Sequence, residues 1–278
     1  DTLAKFLPAV PRGETVTLRQ LLSHTSGMGD YINGQRSSLL TEAQTSDYTS
    51  DELISIITAR QPFFRAQPGA TWLYSNSGFT LLGIVVEKLS GMTFSDFCAK
   101  HLFAPAGLSQ TNIDKTCTTT AICNGYRPNF RASTKYDLAL PVSPSFAGGA
   151  GAIRSTTEDL CLWHMALLSG TVLKPESVEA MLTPTLLKNG KPAYERGGAD
   201  PLEYGLGQGL GTMKNLKLAA HGGRVNGFTG HLRSFTDSKL TVAILYNSDG
   251  GGAPGFSAAQ RGLKTEASRL GIDHLGLA

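Results

Sequence analysis

The sequence predicts an α+β protein in which an antiparallel sheet is flanked by helices. Two observations support this prediction. Helical apolar patterns recur up to about residue 170, and short strand-like runs separated by glycines follow Tyr204. A last helical pattern closes the chain, and an order of helices, then strands, then a helix is typical of α+β folds and not of doubly wound parallel sheets. The 278 residues are enough to bury a sizeable core.

Start and stop signals define three helices in the first part of the chain. Thr17 and Gln20 form a capping box, which predicts a short helix. Ser50 is predicted to cap a second helix. Its apolar side chains share one face: Leu53, Ile54 and Ile57. The range 78–89 is apolar on most sides, which predicts a buried helix with Gly91 as its C-cap.

Two further helices are predicted before the strand-like runs. Thr93 and Asp96 form another capping box, and Ser155 with Glu158 starts a helix that ends at Gly170. The first helix has one apolar face, made by Phe94, Phe97, Cys98 and Leu102. The second is expected to turn three apolar side chains inward: Leu160, Trp163 and Leu167.

The strand-like runs cover residues 216–221, 228–235 and 240–246, with a polar turn at 236–239. A last helix is predicted from about residue 258 to 270. Its apolar side chains on one face are Leu263, Ala267 and Leu270.

Composition and charge exclude several classes of function. Lys and Arg number 25 against 22 Asp and Glu, and a formal net charge of +3 does not indicate binding to nucleic acid or to an anionic membrane surface. The apolar run 81–86 is far too short to span a membrane. The start of the chain does not show the pattern of a signal peptide.

The four cysteines leave the redox compartment open. Cys117 and Cys123 lie in a polar stretch that can close as a small disulfide loop, which would indicate an oxidising compartment. Cys98 and Cys161 lie in apolar helical patterns and are interpreted as buried thiols. The sequence has no C-x-x-C pair and no cluster of histidine and cysteine at ligand spacing, so we expect no zinc site.

Several common catalytic motifs are missing from the sequence. It contains no G-x-S-x-G, no phosphate-binding loop ending in G-K-[ST], and no H-E-x-x-H. The glycine run 205–211 lacks the spacing of a dinucleotide loop and is interpreted as a close-packed strand or turn.

Three segments stand out together: 21–27 (LLSHTSG), 68–79 (PGATWLYSNSGF) and 221–230 (HGGRVNGFTG). With the stretch AGGAGAIRSTTEDL and the YGLG turn between them, the chain resembles the penicillin-recognising serine hydrolases of the class C β-lactamase-like branch. That branch contains β-lactamases, D-Ala-D-Ala carboxypeptidases, D-aminopeptidases and esterases. The resemblance covers nearly the whole chain and implies a single domain over 1–278. In it, a mainly helical subdomain spans 15–200, and 201–278 carries the sheet and the last helix.

Two of the three motifs of this family are present. Tyr74, Ser75 and Asn76 match Y-x-N, and the segment 221–223 matches the edge-strand motif [KH]-[TSG]-G. The third motif, S-x-x-K, carries the nucleophile and is missing, because no serine has a lysine three residues later. In the family it precedes the segment that resembles 21–27, so we expect the chain to be N-terminally incomplete.

The resemblance implies a catalytic role for Tyr74, Asn76 and His221. An acyl transfer needs a nucleophile, a base and donors that face the oxyanion. Tyr74 would be the base, with the lysine of the missing motif as its partner. Asn76 would orient that lysine and donate its amide to a substrate carbonyl. His221 would stand beside the substrate's carboxylate or leaving group, where other members have lysine.

Substrate binding is assigned to the residues that follow His221. Gly222 and Gly223 have no side chains, so a substrate can approach the strand backbone closely and add to it as an extra strand. The backbone N–H of Arg224 would be one oxyanion donor. We interpret His24 as structural, and Trp72 and Trp163 as core residues, with Trp72 near enough to Tyr74 to line a cleft.

The predicted function is that of a serine hydrolase that forms an acyl-enzyme without a metal or an organic cofactor. The substrate would be a small molecule or peptide: a β-lactam, a D-amino-acid peptide or a small acyl ester. The His-Gly-Gly variant favours an esterase or peptidase over a β-lactamase. Two alternatives remain at this point, a non-catalytic binding module of the same fold and a fragment that cannot fold alone. The location is predicted to be periplasmic or secreted, and the oligomeric state is open.

Overall fold

Antiparallel pairing dominates the sheet structure. The computed structural model describes residues 1–32, 44–114, 123–129, 135–195, 201–250 and 256–276. Two short strands, β1 (Tyr126–Pro128) and β2 (Tyr136–Leu138), form a separate antiparallel ladder. The main sheet has six strands that pair in chain order. They are β3 (Tyr194–Glu195), β4 (Leu202–Tyr204), β5 (Gly209–Met213), β6 (Leu216–Val225), β7 (Phe228–Phe235) and β8 (Leu240–Tyr246).

The predicted strands are confirmed, and one of them is longer than expected. The runs 228–235 and 240–246 coincide with β7 and β8. Strand β6 continues past His221 to Val225, because the glycines after His221 pair with β7. The β5–β6 turn uses Lys214 and Asn215, both at positive φ (47° and 63°), as a two-residue hairpin turn requires.

The helices precede and follow the sheet, as the fold class predicts. Within the described residues they are α1 (Leu18–Leu22), α2 (Ser50–Thr58), α3 (Asn76–Ser90), α4 (Phe94–Cys98), α5 (Pro144–Ala147), α6 (Thr157–Leu168), α7 (Pro175–Met181) and α8 (Phe256–His274). Single 3-10 turns cover Leu3–Lys5, Gly13–Thr15 and Gly148–Ala150, and a π-helical turn, Ala99–Phe103, extends α4. The predicted division of the chain near residue 200 stays a prediction, and the first strand of the sheet, β3, precedes it.

The predicted caps are confirmed at Thr17 and Thr93 and wrong by one residue at two other helices. Thr49, not Ser50, caps α2, because its hydroxyl accepts from the Glu52 N–H and completes a capping box. The Ser50 hydroxyl instead donates to Glu87 at 2.6 Å. The start of α6 is likewise capped by Thr156 rather than by Ser155. In both cases two neighbouring hydroxyl residues compete for the cap, and the sequence does not distinguish them.

Helix α3 is the central helix of the N-terminal part. It is longer than the predicted range and ends at Gly91, whose φ of 68° and N–H bond to the Glu87 carbonyl confirm the C-cap. Leu81, Ile84 and Val85 contribute to a core with the chain's first residues and α2. A smaller cluster around Cys98 includes Phe94, Leu102 and Trp163 at its margin.

The main sheet is covered on both faces. Ile272 of α8 packs against Leu218 and Phe235 on one face. On the other face, His164 of α6 bonds the hydroxyl of Ser234, the strand neighbour of Phe235. Successive side chains of a strand point to opposite faces, so β7 contacts both helices.

The apolar face predicted for the last helix is exposed. Leu263 and Leu270 of α8 are 57% and 54% exposed, while Ser268 and Ile272 are fully buried against the sheet. The three predicted side chains do share a face, but it is not the one that contacts the sheet.

The cysteine predictions have mixed outcomes. Cys98 is buried as expected, whereas Cys161 is only half-buried. Cys117 lies outside the described residues, so its pairing with Cys123 stays a prediction. Among the helices of the described ranges, none combines the length and the apolar character that a membrane span requires.

Candidate active site

The loop that follows α1 contains His24 and is hydrogen-bonded to the segment at the start of α3. The Leu73 N–H donates to the His24 carbonyl at 2.7 Å, and the Ser75 N–H donates to His24 Nδ1 at 3.2 Å. Gly27 packs the same loop closely against Ala66: its φ is 74°, and a Cβ there would lie 2.2 Å from the Ala66 carbonyl oxygen. The loop therefore fixes the backbone on both sides of Tyr74.

Tyr74 lies at the surface of an aromatic cluster. Its ring centroid is 4.3 Å from that of His24 and 6.2 Å from that of Trp72, while 36% of the residue stays exposed. Burial, assisted by the carboxylates of Asp30 and Glu195, raises the pKa of Tyr74 to about 12. In this environment the phenol holds its proton at neutral pH, so a base at this position needs a cation beside it.

Asn76 is the first residue of α3, so its position depends on how that helix begins. The Ser75 hydroxyl caps the helix by accepting from the Gly78 N–H at 3.3 Å. Asn76 is 9% exposed. Its backbone N–H and its side-chain Nδ2 both donate to Asp30 Oδ2, at 3.0 Å and 2.8 Å.

His221 approaches Tyr74 from the sheet. The two ring centroids are 6.5 Å apart, and the Tyr204 ring lies 6.5 Å from His221 as well. Burial lowers the pKa of His221, against a smaller opposing effect of the Glu195 carboxylate. The imidazole is therefore neutral at pH 7 and can either donate or accept a hydrogen bond there.

Beyond Ala220, strand β6 has an open edge. Its pairing with β5 ends at Gly209 and Ala220, whereas its pairing with β7 continues to Val225. Within the described residues, the stretch after Ala220 has a strand partner on one side only. This open edge begins at His221, next to Tyr74.

The register fixes which backbone groups face the open edge. The hairpin turn after Met213 makes Leu216 a hydrogen-bonded partner of β5, and the same orientation recurs at every second residue. The N–H and C=O groups of Gly222 and Arg224 therefore point to the open edge, and those of Gly223 point to β7. This places the Arg224 N–H where an incoming chain can accept from it.

The two glycines have different surroundings. A Cβ on Gly222 would lie 3.1 Å from His231 Nδ1, so this position tolerates little more than a hydrogen. A Cβ on Gly223 would meet nothing within 4 Å. Gly223 and His221 share a sheet face by the two-residue repeat, so the space next to His221 on this face is open.

The geometry of His24 agrees with its interpretation as a structural residue. It is 2% exposed, and its Nδ1 accepts a hydrogen bond from the Ser75 N–H. Burial lowers the pKa of His24 to about 3, so it is neutral and keeps its Nδ1 acceptor. Trp72 is half-buried and lies against Tyr74 and Tyr204 rather than deep in a core.

Sequence reasoning missed two residues of this region. Asp30 binds Asn76 through a carboxylate that lies 46 residues earlier in the chain, and no spacing rule links the two positions. Tyr204 is fully buried, and its hydroxyl has no hydrogen-bond partner among the described residues. It belongs to the YGLG turn, which carried part of the family resemblance but no assigned role.

His164 and Ser234 also form a histidine–serine pair, but both residues are buried away from solvent. His164 Nδ1 and the Ser234 hydroxyl are hydrogen-bonded, and both residues are 1% exposed. The Thr241 hydroxyl occupies the other side of Ser234. A substrate cannot reach this serine, so the pair joins α6 to the sheet. No group of three His, Cys, Asp or Glu residues suited to a metal ion occurs in the described part of the chain.

The fold and the motifs at the open edge define a class, the proteins built on the β-lactamase fold. The family model described as Beta-lactamase matches residues 1–267. The chain therefore belongs to the Beta-lactamase family.

Curated relatives and a solved structure agree with this assignment. Penicillin-binding protein 4* of Bacillus subtilis is 26% identical over 269 residues, which cover 90% of this chain and 55% of that protein. A D-aminopeptidase of Cereibacter sphaeroides is 25% identical over 248 residues, covering 89% and 45%. A D-stereospecific amidohydrolase from Streptomyces sp. has a TM-score of 0.74 and 27% identity, covering 90% of this chain and 74% of that one. The chain spans about half the length of the curated relatives it matches.

Proposed function

We propose that the protein is a serine hydrolase that cleaves amide bonds of D-amino-acid derivatives through an acyl-enzyme. The observation that carries the proposal is the open edge of β6, which starts at His221 beside Tyr74 and directs the Arg224 N–H outward. Similarity to a D-aminopeptidase and to a D-stereospecific amidohydrolase supports the substrate class.

The substrate would bind as an added strand along the open edge. Gly222 offers its N–H and C=O to the substrate backbone, and the open face at Gly223 leaves room for a side chain. The Arg224 N–H would donate to the carbonyl oxygen as negative charge develops there. Arg224's own side chain is exposed and needs no part in this step.

The chemical step requires a serine from an S-x-x-K motif, which none of the serines in the printed sequence provides. The lysine ammonium of that motif would hold Tyr74 as a phenolate. The serine oxygen would attack the carbonyl carbon while its proton passes to the Tyr74 phenolate oxygen. The C–N bond then breaks, and the leaving amine takes that proton. A water molecule then attacks the acyl-enzyme ester in the same way, which releases the acid and regenerates the serine. Asn76 would hold the lysine and the substrate carbonyl in place.

The neutral charge of the His221 imidazole favours a substrate that has no free carboxylate beside this residue. A neutral imidazole offers a hydrogen bond but no positive charge to the acid group of a β-lactam. Acyclic amides without a free carboxylate are therefore favoured over β-lactams, and small acyl esters fit the same site.

A matched substrate panel tests the proposal. The protein produced from its full coding sequence is assayed with D-alanine amide, L-alanine amide, a p-nitrophenyl ester and a chromogenic cephalosporin. We expect hydrolysis of the D-amide to exceed that of the L-amide by at least about tenfold, since a chiral strand-like binding mode distinguishes the two. Equal rates for the enantiomers would contradict the substrate class, and no turnover of any compound would favour a non-catalytic module.

We also propose a periplasmic or secreted location, supported by the spacing of Cys117 and Cys123. Cell fractionation with an antibody against the chain tests this, and recovery in the cytoplasmic fraction alone would contradict it.

A further inference from the structure

We propose that Asp30 is a positioning residue that holds the side-chain amide of Asn76 in its working orientation. The role of Asn76 in catalysis rests on the proposed function, whereas the contact between the two residues does not. Asp30 would act through Asn76 and would not itself touch the substrate.

One carboxylate oxygen of Asp30 receives two bonds from the same residue. Asp30 Oδ2 accepts from the Asn76 backbone N–H at 3.0 Å and from Asn76 Nδ2 at 2.8 Å. A helix N-terminus needs only the first of these bonds to satisfy its free N–H. The second bond constrains the side chain and has no function in capping the helix.

The chemistry of the two groups settles the orientation of the amide. An ionised carboxylate can only accept hydrogen bonds, so the amide nitrogen must face Asp30 and the carbonyl oxygen Oδ1 must face away. No described residue donates a hydrogen bond to Asn76 Oδ1. Asn76 therefore presents its carbonyl oxygen and its second N–H to the site. The oxygen can accept from an ammonium group, and the N–H can donate to a substrate carbonyl.

The Asp30 carboxylate is itself fixed. The Ile32 N–H donates to its other oxygen, Oδ1, at 2.7 Å. On one side of Asp30, the Ser75 hydroxyl donates to the Gly29 carbonyl at 3.1 Å. On the other, the Tyr31 N–H donates to the Ser77 hydroxyl at 3.0 Å. Asp30 cannot turn away from Asn76 without breaking these contacts, so the amide is held by a rigid support.

A second effect of Asp30 distinguishes it from a purely structural residue. Its charge contributes to the raised pKa of Tyr74, after the larger contribution of burial. Replacing the carboxylate by an amide should lower the pKa of Tyr74, while a structural loss elsewhere in the loop should not.

The experiment compares Asp30→Ala, Asp30→Asn and a matched control, Ser77→Ala, in the protein produced from its full coding sequence. Ser77→Ala removes a hydrogen bond between the same two segments without touching Asn76. We expect Asp30→Ala to lower kcat about tenfold to hundredfold, since small displacements of positioned groups have effects of this size. KM should change much less. Asp30→Asn keeps one acceptor oxygen for Asn76 but loses the bond from the Ile32 N–H, so it should recover part of kcat. Ser77→Ala leaves the Asp30 carboxylate and its bond from Ile32 in place and should lower kcat much less than Asp30→Ala does.

A double-mutant cycle tests whether Asp30 acts through Asn76. In an Asn76→Ala background, Asp30→Ala should lower kcat no further, because the group that it positions is gone. Additive losses would overturn the proposal. Equal losses of kcat in Asp30→Ala and Ser77→Ala would also overturn it, since both would then reflect a loosened loop.

A readout that does not depend on turnover separates this inference from the proposed function. With asparagine labelled in its side-chain amide, NMR should show slow solvent exchange for the Asn76 Nδ2 protons and fast exchange in Asp30→Ala. If the wild-type protein turns over no substrate but shows this protection, the proposed function fails and the contact stands. Fast exchange in the wild-type protein would overturn the positioning role whatever the activity.

Discussion

The rings of His24 and Tyr74 lie 4.3 Å apart, centroid to centroid, and the next N–H along the chain, that of Ser75, donates to His24 Nδ1. His24 therefore supports Tyr74 both by packing and by fixing the backbone that carries it. The fully buried Tyr204 lies on the same imidazole, at 5.3 Å. The candidate base thus rests on a neutral, buried histidine.

Replacing His24 should therefore reduce both stability and activity. In His24→Ala the Ser75 N–H loses its acceptor and a cavity opens beneath Tyr74, so we expect the free energy of unfolding to fall by about 2–4 kcal/mol. Urea unfolding measures this loss, and steady-state kinetics should show a lower kcat. His101→Ala is the control, because His101 is exposed and its ring contacts that of Phe97 within the described part of the chain. A fully stable His24→Ala protein would contradict the support role.

Removing the Tyr74 hydroxyl should affect turnover without affecting the fold. No described residue hydrogen-bonds this hydroxyl, so Tyr74→Phe should leave the free energy of unfolding within about 0.5 kcal/mol of wild type. Loss of a general base typically lowers kcat by about 10²–10⁴. Thermal unfolding and kcat are measured on the same preparation. An unchanged kcat would remove Tyr74 from the mechanism.

Stability should fall with acid because burial lowers the pKa of four histidines, His24, His164, His221 and His231, which are neutral in the folded protein. Burial lowers the pKa of His24 to about 3 and that of His164 to about 4, from 6.5. Between those values and 6.5 the unfolded chain binds more protons than the folded one, so the free energy of unfolding decreases as the pH falls. Each histidine contributes up to about 1.4 kcal/mol per pH unit.

Urea titrations from pH 7 to pH 5 measure this slope. His164→Gln should make the slope shallower, since it removes one of the histidines whose pKa burial lowers. A slope that does not respond to His164→Gln would contradict the assignment.

The two glycines of the open edge should respond differently to a methyl group. Gly223→Ala meets open space, so the fold should persist, and KM should rise by about tenfold or more as the methyl group obstructs the incoming chain. Gly222→Ala would press against His231 Nδ1 and should lower the thermal midpoint. Substrate kinetics and thermal unfolding of both variants test this pair. An unchanged KM in Gly223→Ala would show that substrate does not use this edge.

The orientation of α8 predicts a contrast between two of its residues. Ile272 is fully buried against the sheet, so Ile272→Ala should lower the free energy of unfolding by about 2–5 kcal/mol. Leu270 is 54% exposed, and Leu270→Ala should cost less than about 1 kcal/mol. Denaturant unfolding compares the two variants. A larger loss for Leu270→Ala would mean that its face is covered in the native protein.

The sequence predicts most of the elements because their signals are local. Strands β7 and β8 follow from β-branched and aromatic residues between turn signals, and α3 follows from an apolar run closed by Gly91. The choice between Thr49 and Ser50 as a cap is also local, but the two hydroxyls compete on nearly equal terms.

What sequence reasoning missed depends on contacts between distant residues. The face of α8 that meets the sheet contains Ser268 and Ile272, and a periodic apolar stripe on the helix does not reveal which side the sheet takes. Asp30 meets Asn76 only because the loop folds onto the start of α3. The positions of Tyr74 and His221 came from motif order, and their 6.5 Å separation depends on how the sheet packs on the helices.

The central claim is that Tyr74, Asn76 and the open edge of β6 serve an acylated serine. Intact mass spectrometry with a fluorophosphonate probe tests it most directly, on wild-type protein and on Tyr74→Phe, with peptide mapping of the adduct. The account predicts one adduct per chain on the serine of an S-x-x-K motif, formed much more slowly in Tyr74→Phe. No adduct, or an adduct on a serine of another motif, would contradict the account.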